Sequence, residues 1–198
     1  MDDAATGLVL HHPDGTSHRF DPGALCLELL PTGGAGAHAR YEVLHRPADL
    51  AEWIAACRLD TGEVAVDEAG VAAARELRDA LWRLTEARAE GLPGAPADYA
   101  AVNRAAAAPP PVPRIGPDGR RAEPAPTTAG AVLSAVARDA VELFTGPYAD
   151  RIRVCGAHDC QLHFVDTSRP GRGAGARWSA AATGRRSALR ARQSGGEG

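Results

Sequence analysis

The chain has 198 residues, of which 44 % are apolar, 24 % are charged and only 5 % are aromatic. This length suits one full-sized domain with a small module beside it, and the Ala-rich apolar fraction predicts a helical core of small side chains. No apolar run approaches the roughly 18 residues of a membrane-spanning helix. The start Met1-Asp2-Asp3 lacks the basic residues of a secretory signal, so we expect a cytoplasmic protein without a membrane partner.

The hydrophobic pattern predicts a mainly α-helical N-terminal domain over residues 1–145. A short strand is expected at Leu8-Val9-Leu10, followed by a turn and by a short apolar element from Phe20 to Leu30. The i, i+3, i+4 spacing of apolar residues then predicts helices at about 46–57, 67–90, 96–107 and 127–144. A proline-rich connector at 109–113 and a short hairpin at 114–123 separate the last two helices.

Residues 146–193 differ from this domain and predict a small α/β module, followed by a tail at 194–198. Two short strands are expected around a cysteine-bearing turn at 151–166, and a basic helix is expected at about 179–193. Residues 151–198 carry nine Arg and three acids, a net charge of +6, whereas residues 1–150 have a net charge of −9. This asymmetry favours an anionic partner for the module.

The four cysteines fall into two classes. Cys26 and Cys57 lie in apolar helical contexts, which predicts buried free thiols. Cys155 and Cys160 lie close together in a turn that also contains Gly, Asp and His. Only the second pair is therefore a candidate for metal or redox chemistry.

The segment that holds the second pair resembles the first half of a CGNR zinc finger. In that half, two cysteines separated by four residues are followed by a Phe-x-Asp-x-Ser stretch, which Phe164-Val165-Asp166-Thr167-Ser168 matches. The second half of the family motif is Trp-Cys-Ser-Met and then Cys-Gly-Asn-Arg. Trp178, Gly184 and Arg186 match it, but both of its cysteines are missing and the segment is one residue short.

Upstream segments resemble the ABATE domain of bacterial stress-induced transcription regulators. The stretch Leu25 to Thr32 is similar to the ABATE opening, although the usual Asn is absent. The helix at Arg75 to Leu81, followed by Val102-Asn103, also fits the ABATE pattern. The resemblance covers nearly the whole chain and implies a degenerate finger attached to an ABATE domain.

The resemblance implies a structural zinc site, but such a site needs four N or S ligands. Under one hypothesis Cys155 and Cys160 bind zinc together with a histidine, for which His163 and His158 are nearby. Strand alternation, however, puts His163 on the face opposite Leu162 and Phe164. The favoured interpretation is therefore no cofactor, with the turn held by packing of Phe164 and Trp178. A disulfide between Cys155 and Cys160 would need oxidising conditions, and a redox switch would require a lowered thiol pKa.

The basic segment is the candidate DNA-binding site. No acid lies between Thr167 and Gln193. Four of its arginines cannot share one helical face, which favours contacts to the phosphate backbone. The alternative is a solvated basic tail that contacts the acidic domain of its own or a neighbouring chain. The candidate residues are Arg169, Arg172, Arg177, Arg185, Arg186, Arg190 and Arg192.

The sequence contains no Gly-Lys-Ser/Thr, Gly-x-Ser-x-Gly or His-Glu-x-x-His motif, and we expect no enzyme activity. Five histidines in the first 45 residues lack metal-ligand spacing and are expected in turns or on the surface. We predict a DNA-binding transcription regulator with a degenerate finger. The alternative is a module that binds a protein or a small ligand, or that self-associates, after losing zinc and DNA binding.

Overall fold

The fold is seen in a computed structural model, which describes residues 7–11, 17–156, 160 and 162–168. The α-helices of this part of the chain are α1 (Leu25–Glu28), α2 (Pro47–Ala56), α3 (Glu68–Ala89), α4 (Pro96–Ala106) and α5 (Ala129–Thr145). The strands are β1 (Leu8–His11), β2 (Ser17–Phe20), β3 (Val64–Ala65), β4 (Thr127–Thr128), β5 (Ile152–Val154) and β6 (His163–Val165). Short 3₁₀ turns lie at Leu30–Thr32, Gly36–Tyr41 and Ala149–Arg151.

The helix termini follow local sequence signals, so the four predicted helices are confirmed to within about two residues at each end. Asp67 caps α3 by accepting the backbone N–H of Gly70, and Thr128 caps α5 by accepting that of Ala131. Helices α2 and α4 begin at Pro47 and Pro96, whose missing N–H is not needed in the first turn.

Helix α3 lies at the centre and packs against α2, α4, α5 and β5. Helix α1 packs against α5, where the Asp139 carboxylate accepts the backbone N–H of Cys26 at 2.8 Å. Within the described residues, no helix has both the length and the apolar character needed to cross a bilayer. The mainly α architecture with a small strand-containing C-terminal module is confirmed.

The described residues form three sheets of two strands each, and two features of these sheets were not predicted. The antiparallel pair β1–β2 uses Ser17–Phe20, whose Ser-His-Arg run has no apolar alternation to indicate a strand. The parallel pair β3–β4 joins the two residues of β3, which precede α3, to the two residues of β4, which follow α4. A ladder this short leaves no periodic signal in the sequence, since its register depends on how the helices pack.

A buried ion pair connects α3 to the segment that follows α1. The guanidinium of Arg78 is 1 % exposed and donates two bonds to the Glu42 carboxylate, at 2.9 and 2.7 Å. It also donates to the carbonyl of Thr32 at 3.3 Å and, through Nε, to Asp79 at 3.1 Å. A buried guanidinium is tolerated only when it is paired and hydrogen-bonded, and this one is.

We expect Arg78→Ala to lower the free energy of unfolding by about 3 kcal/mol, because it leaves the largely buried Glu42 carboxylate without its partner. The control is Arg104→Ala, since Arg104 pairs with Glu76 at 2.6 Å while both side chains are more than 60 % exposed. That variant should lose less than about 1 kcal/mol. Urea denaturation measures both, and equal losses would contradict a special role for the buried pair.

The same pair predicts a loss of stability in acid. Burial acts to raise the pKa of Glu42, but the bonds from Arg78, the Leu44 N–H and the charges of Arg78 and Arg75 outweigh it, so the pKa is lowered. A carboxylate with a lowered folded pKa stabilises the fold above its unfolded pKa of about 4.3 and loses this contribution as the pH falls through the folded value. The unfolding free energy of wild type should therefore fall more steeply below about pH 4.3 than that of Glu42→Gln, measured by urea titrations from pH 6 to 3. Parallel curves of unfolding free energy against pH for the two proteins would contradict a contribution of Glu42 to the loss of stability in acid.

Candidate functional site: a finger hairpin docked on helix α3

One face of α3 holds the segment that follows α1. Arg78, Trp82 and Glu86 are spaced four residues apart, which places them one above another on the helix. The indole N–H of Trp82 donates to the carbonyl of Gly33 at 2.7 Å, next to the Thr32 carbonyl that Arg78 contacts. Both donors therefore fix consecutive peptide groups of the segment.

His38 closes the same segment onto this face. Its ring stacks on the Trp82 ring with centroids 3.9 Å apart and planes at 13°, and its Nε2 lies 3.3 Å from the Glu86 carboxylate. The His38 side chain is only 13 % exposed. His38 lies in the 3₁₀ turn Gly36–Tyr41, in keeping with a turn histidine, but a tryptophan from a distant helix covers its ring.

The hairpin β5–β6 packs on the other side of Trp82. Its antiparallel register pairs Ile152 with Val165 and Val154 with His163. The ring of His163 meets the Trp82 ring edge-on, with centroids 4.8 Å apart. Trp82 thus lies between His38 of the N-terminal segment and His163 of the hairpin.

Both faces of β6 are covered. His163, Phe164 and Val165 are 3 %, 7 % and 9 % exposed, and Ile152 of β5 is fully buried. Strand alternation correctly separates His163 from Phe164, but the face that carries His163 is buried as well. A histidine in this position is part of the packing between the hairpin and α3.

Backbone contacts fix the position of the hairpin further. The N–H of Val165 donates to the carbonyl of Pro22 at 2.9 Å, ahead of α1. Gly23, with φ +84°, lies so close that an added Cβ would sit 3.2 Å from the Val165 Cβ. The glycine therefore allows the chain before α1 to approach the strand.

A hydrogen-bonded turn follows β6. The N–H of Ser168 donates to the Asp166 carboxylate at 2.9 Å, and the N–H of Asp166 donates to the carbonyl of Arg151 at 2.8 Å. The hydrogen bonds from Ser168 lower the pKa of Asp166, with a further contribution from the charges of Arg151 and Arg153. The guanidinium of Arg151 also donates to the carbonyl of Ser168 at 3.1 Å. Asp166 is thus a turn-forming residue.

The thiols of Cys155 and Cys160 lie together at the turn end of the hairpin, where both are partly buried. Burial raises the pKa of Cys160 to about 11, and a hydrogen bond with the Cys155 thiol adds to the effect. A redox switch needs the opposite shift. Cys26 and Cys57 are buried thiols, as predicted, and burial raises the pKa of each.

The residues present do not fit a closed zinc site. Cys155 and Cys160 supply two of the four ligands, the candidate His158 lies outside the described residues, and no Cys or His follows His163 in the sequence. Over the described ranges, no three His, Cys, Asp or Glu side chains come together to hold a metal ion. His163 instead packs edge-on against Trp82.

The candidate DNA-binding arginines lie outside the described residues. This holds for Arg169, Arg172, Arg177, Arg185, Arg186, Arg190 and Arg192, and also for Trp178, which was expected to pack against Phe164. Among the described residues of the module, Arg153 is exposed on β5. It lies on the strand pair that precedes the basic segment.

The sequence analysis missed Arg78, His38 and the docking role of Trp82. A signal for Arg78 was present, since it follows Val71 by seven residues and Ala74 by four and so falls on the buried stripe of α3. No comparable signal exists for His38, whose burial depends on a contact between distant parts of the chain.

Two family profiles match the chain. Residues 23–147 match ABATE, described as "Putative stress-induced transcription regulator", and residues 151–193 match the CGNR zinc finger. The suspected resemblance to both families is thereby confirmed. A comparison with curated proteins gives no match.

We expect purified wild type to hold well under one zinc ion per chain, because two thiols cannot close a tetrahedral site. Ser179→Cys/Thr183→Cys, which restores cysteines beside Trp178 and Gly184, should raise the content to about one zinc per chain. The control is the same double variant with Cys155→Ser/Cys160→Ser, which should lose the metal again. The zinc content is measured with a chromogenic chelator after the protein is denatured. One zinc ion per wild-type chain would contradict the conclusion that the finger lacks a closed zinc site.

Proposed function

Because the chain belongs to the ABATE family and continues into a CGNR zinc-finger segment, we propose that it is a cytoplasmic, non-enzymatic transcription regulator that binds DNA. In this proposal the helical domain carries the hairpin, and the arginine-rich segment after the hairpin grips the phosphate backbone. The charge distribution carries the proposal, with +6 over residues 151–198 against −9 over the rest.

The chemistry of the basic segment supports phosphate contact over base reading. Seven arginines occur without an acid between Thr167 and Gln193, and the spacing of the last four spreads them around a helix. Arginines that surround a helix can contact the two phosphate chains that border a groove, but they cannot all face the base edges. The affinity of such binding depends strongly on salt concentration and little on the DNA sequence.

The described part of the module also carries arginine. Arg153 is exposed on β5, and Arg151 donates to the carbonyl of Ser168, which precedes the basic segment in the chain. These two arginines add to the positive charge of the module. The four free cysteines agree with a reducing compartment.

A salt series tests the proposal. If all seven arginines contact phosphates, the logarithm of the affinity for a random duplex should fall with the logarithm of salt concentration with a slope of roughly −6. Each phosphate contact contributes about 0.9 to the magnitude of this slope. The slope should therefore become shallower by about 4 in the quadruple variant Arg185→Gln/Arg186→Gln/Arg190→Gln/Arg192→Gln. Fluorescence anisotropy with a labelled duplex measures both.

The matched control is Arg114→Gln/Arg120→Gln, which removes two exposed arginines from the helical domain and should leave the slope unchanged. No binding at low salt would contradict the proposal for the isolated protein. The second candidate function, a small-ligand-binding module, would then be favoured. It is supported by a cavity of about 450 Å³ at the end of α2, lined by residues that include Ile54, Arg58 and Thr61.

A further inference from the structure

The finger of this chain keeps its hairpin although it has lost half of the ligands that fold such a module. A small zinc finger is normally folded by its metal, and an isolated two-stranded hairpin is marginally stable in water. Something other than a complete zinc site must therefore hold β5 and β6 together.

The contacts identify the replacement. Ile152 and Val165, which face each other across the hairpin, belong to the same hydrophobic core as helices α1 to α5. The bond from Val165 to Pro22 attaches β6 to the chain before α1, and Arg88 of α3 lies 3.4 Å from Asp150 just before β5. The hairpin is thus packed and hydrogen-bonded to the ABATE domain along both strands.

The aromatic contact is the most specific of these. Trp82 is 6 % exposed and is oriented by its bond to the Gly33 carbonyl and by the stacked ring of His38. An indole fixed in this way contacts the ring of His163, which pairs with Val154 at the end of the hairpin next to its turn. Cys155 and Cys160 belong to that turn and are only partly buried, whereas His163 is 3 % exposed.

We infer that the ABATE domain replaces the metal in this protein: the hairpin β5–β6 folds and stays folded without zinc, and Trp82 is the residue that docks it. This role is separate from DNA binding, because it concerns the hairpin and its contacts to α3. The two cysteines that remain from the finger are then dispensable for the fold.

Hydrogen–deuterium exchange of the full chain, followed by mass spectrometry, tests the inference through the peptides that cover residues 151–168. Their exchange should be unchanged, within about twofold, by an excess of zinc chelator and by Cys155→Ser/Cys160→Ser. Trp82→Leu should speed exchange of these peptides by about tenfold or more. The control is Trp53→Leu, because Trp53 is equally buried at 6 % and bonds a backbone carbonyl of Glu28 away from the hairpin.

Faster exchange of the hairpin with chelator, or in the cysteine variant, would overturn the inference and show that metal holds the fold. Equal hairpin exchange in the Trp82 and Trp53 variants would overturn the docking role of Trp82. If Trp82→Leu speeds exchange along the whole chain, Val165→Ala is the second variant. It should speed exchange in the hairpin while α3 and α4 keep the wild-type rate, and a uniform change would again overturn the inference.

Discussion

Helix α3 carries Arg78, Trp82 and Glu86 on one face, and the arrangement of the other elements follows from what these side chains bind. The Arg78 guanidinium donates to the carbonyl of Thr32, and the Trp82 indole N–H donates to the next carbonyl, that of Gly33. The Glu86 carboxylate is within hydrogen-bond distance of the His38 ring. Burying a guanidinium this deeply is favourable only with several partners, and Glu42 supplies two of them. The segment between α1 and α2 is therefore held in one position, which fixes the surface that the finger hairpin meets.

The finger shows how a metal module can persist after losing ligands. Its two strands bury the side chains of Ile152, His163, Phe164 and Val165. A free-standing two-stranded hairpin could not remove this much side-chain surface from water by itself. Because Ile152 and Val165 join the core of the ABATE domain, the two family segments share one hydrophobic interior. In our inference, the free energy that zinc supplies in a complete finger comes instead from burial of apolar surface against α3.

This organisation bears on the proposed function. The basic segment begins just after the turn at Asp166 and Ser168, whose hydrogen bonds end the hairpin. In the proposed function, the arginines that follow this turn in the sequence contact phosphates without reading bases. The acidic remainder of the chain, at −9, would repel DNA, so the proposal assigns the binding to the module.

The sequence by itself determined the four long helices, the cap of α3 at Asp67, the buried thiols of Cys26 and Cys57 and the two strands of the finger. These features depend on local spacing, and both families were identified from motifs that are contiguous in the chain. Only the tertiary structure decided that His163 packs against Trp82, that His38 is covered, and that Val64–Ala65 pairs with Thr127–Thr128. Each of these contacts joins residues dozens of positions apart, so no local period encodes it. The two histidine contacts exist because α3 presents Trp82 to distant segments, and the β3–β4 pairing depends on how the helices pack.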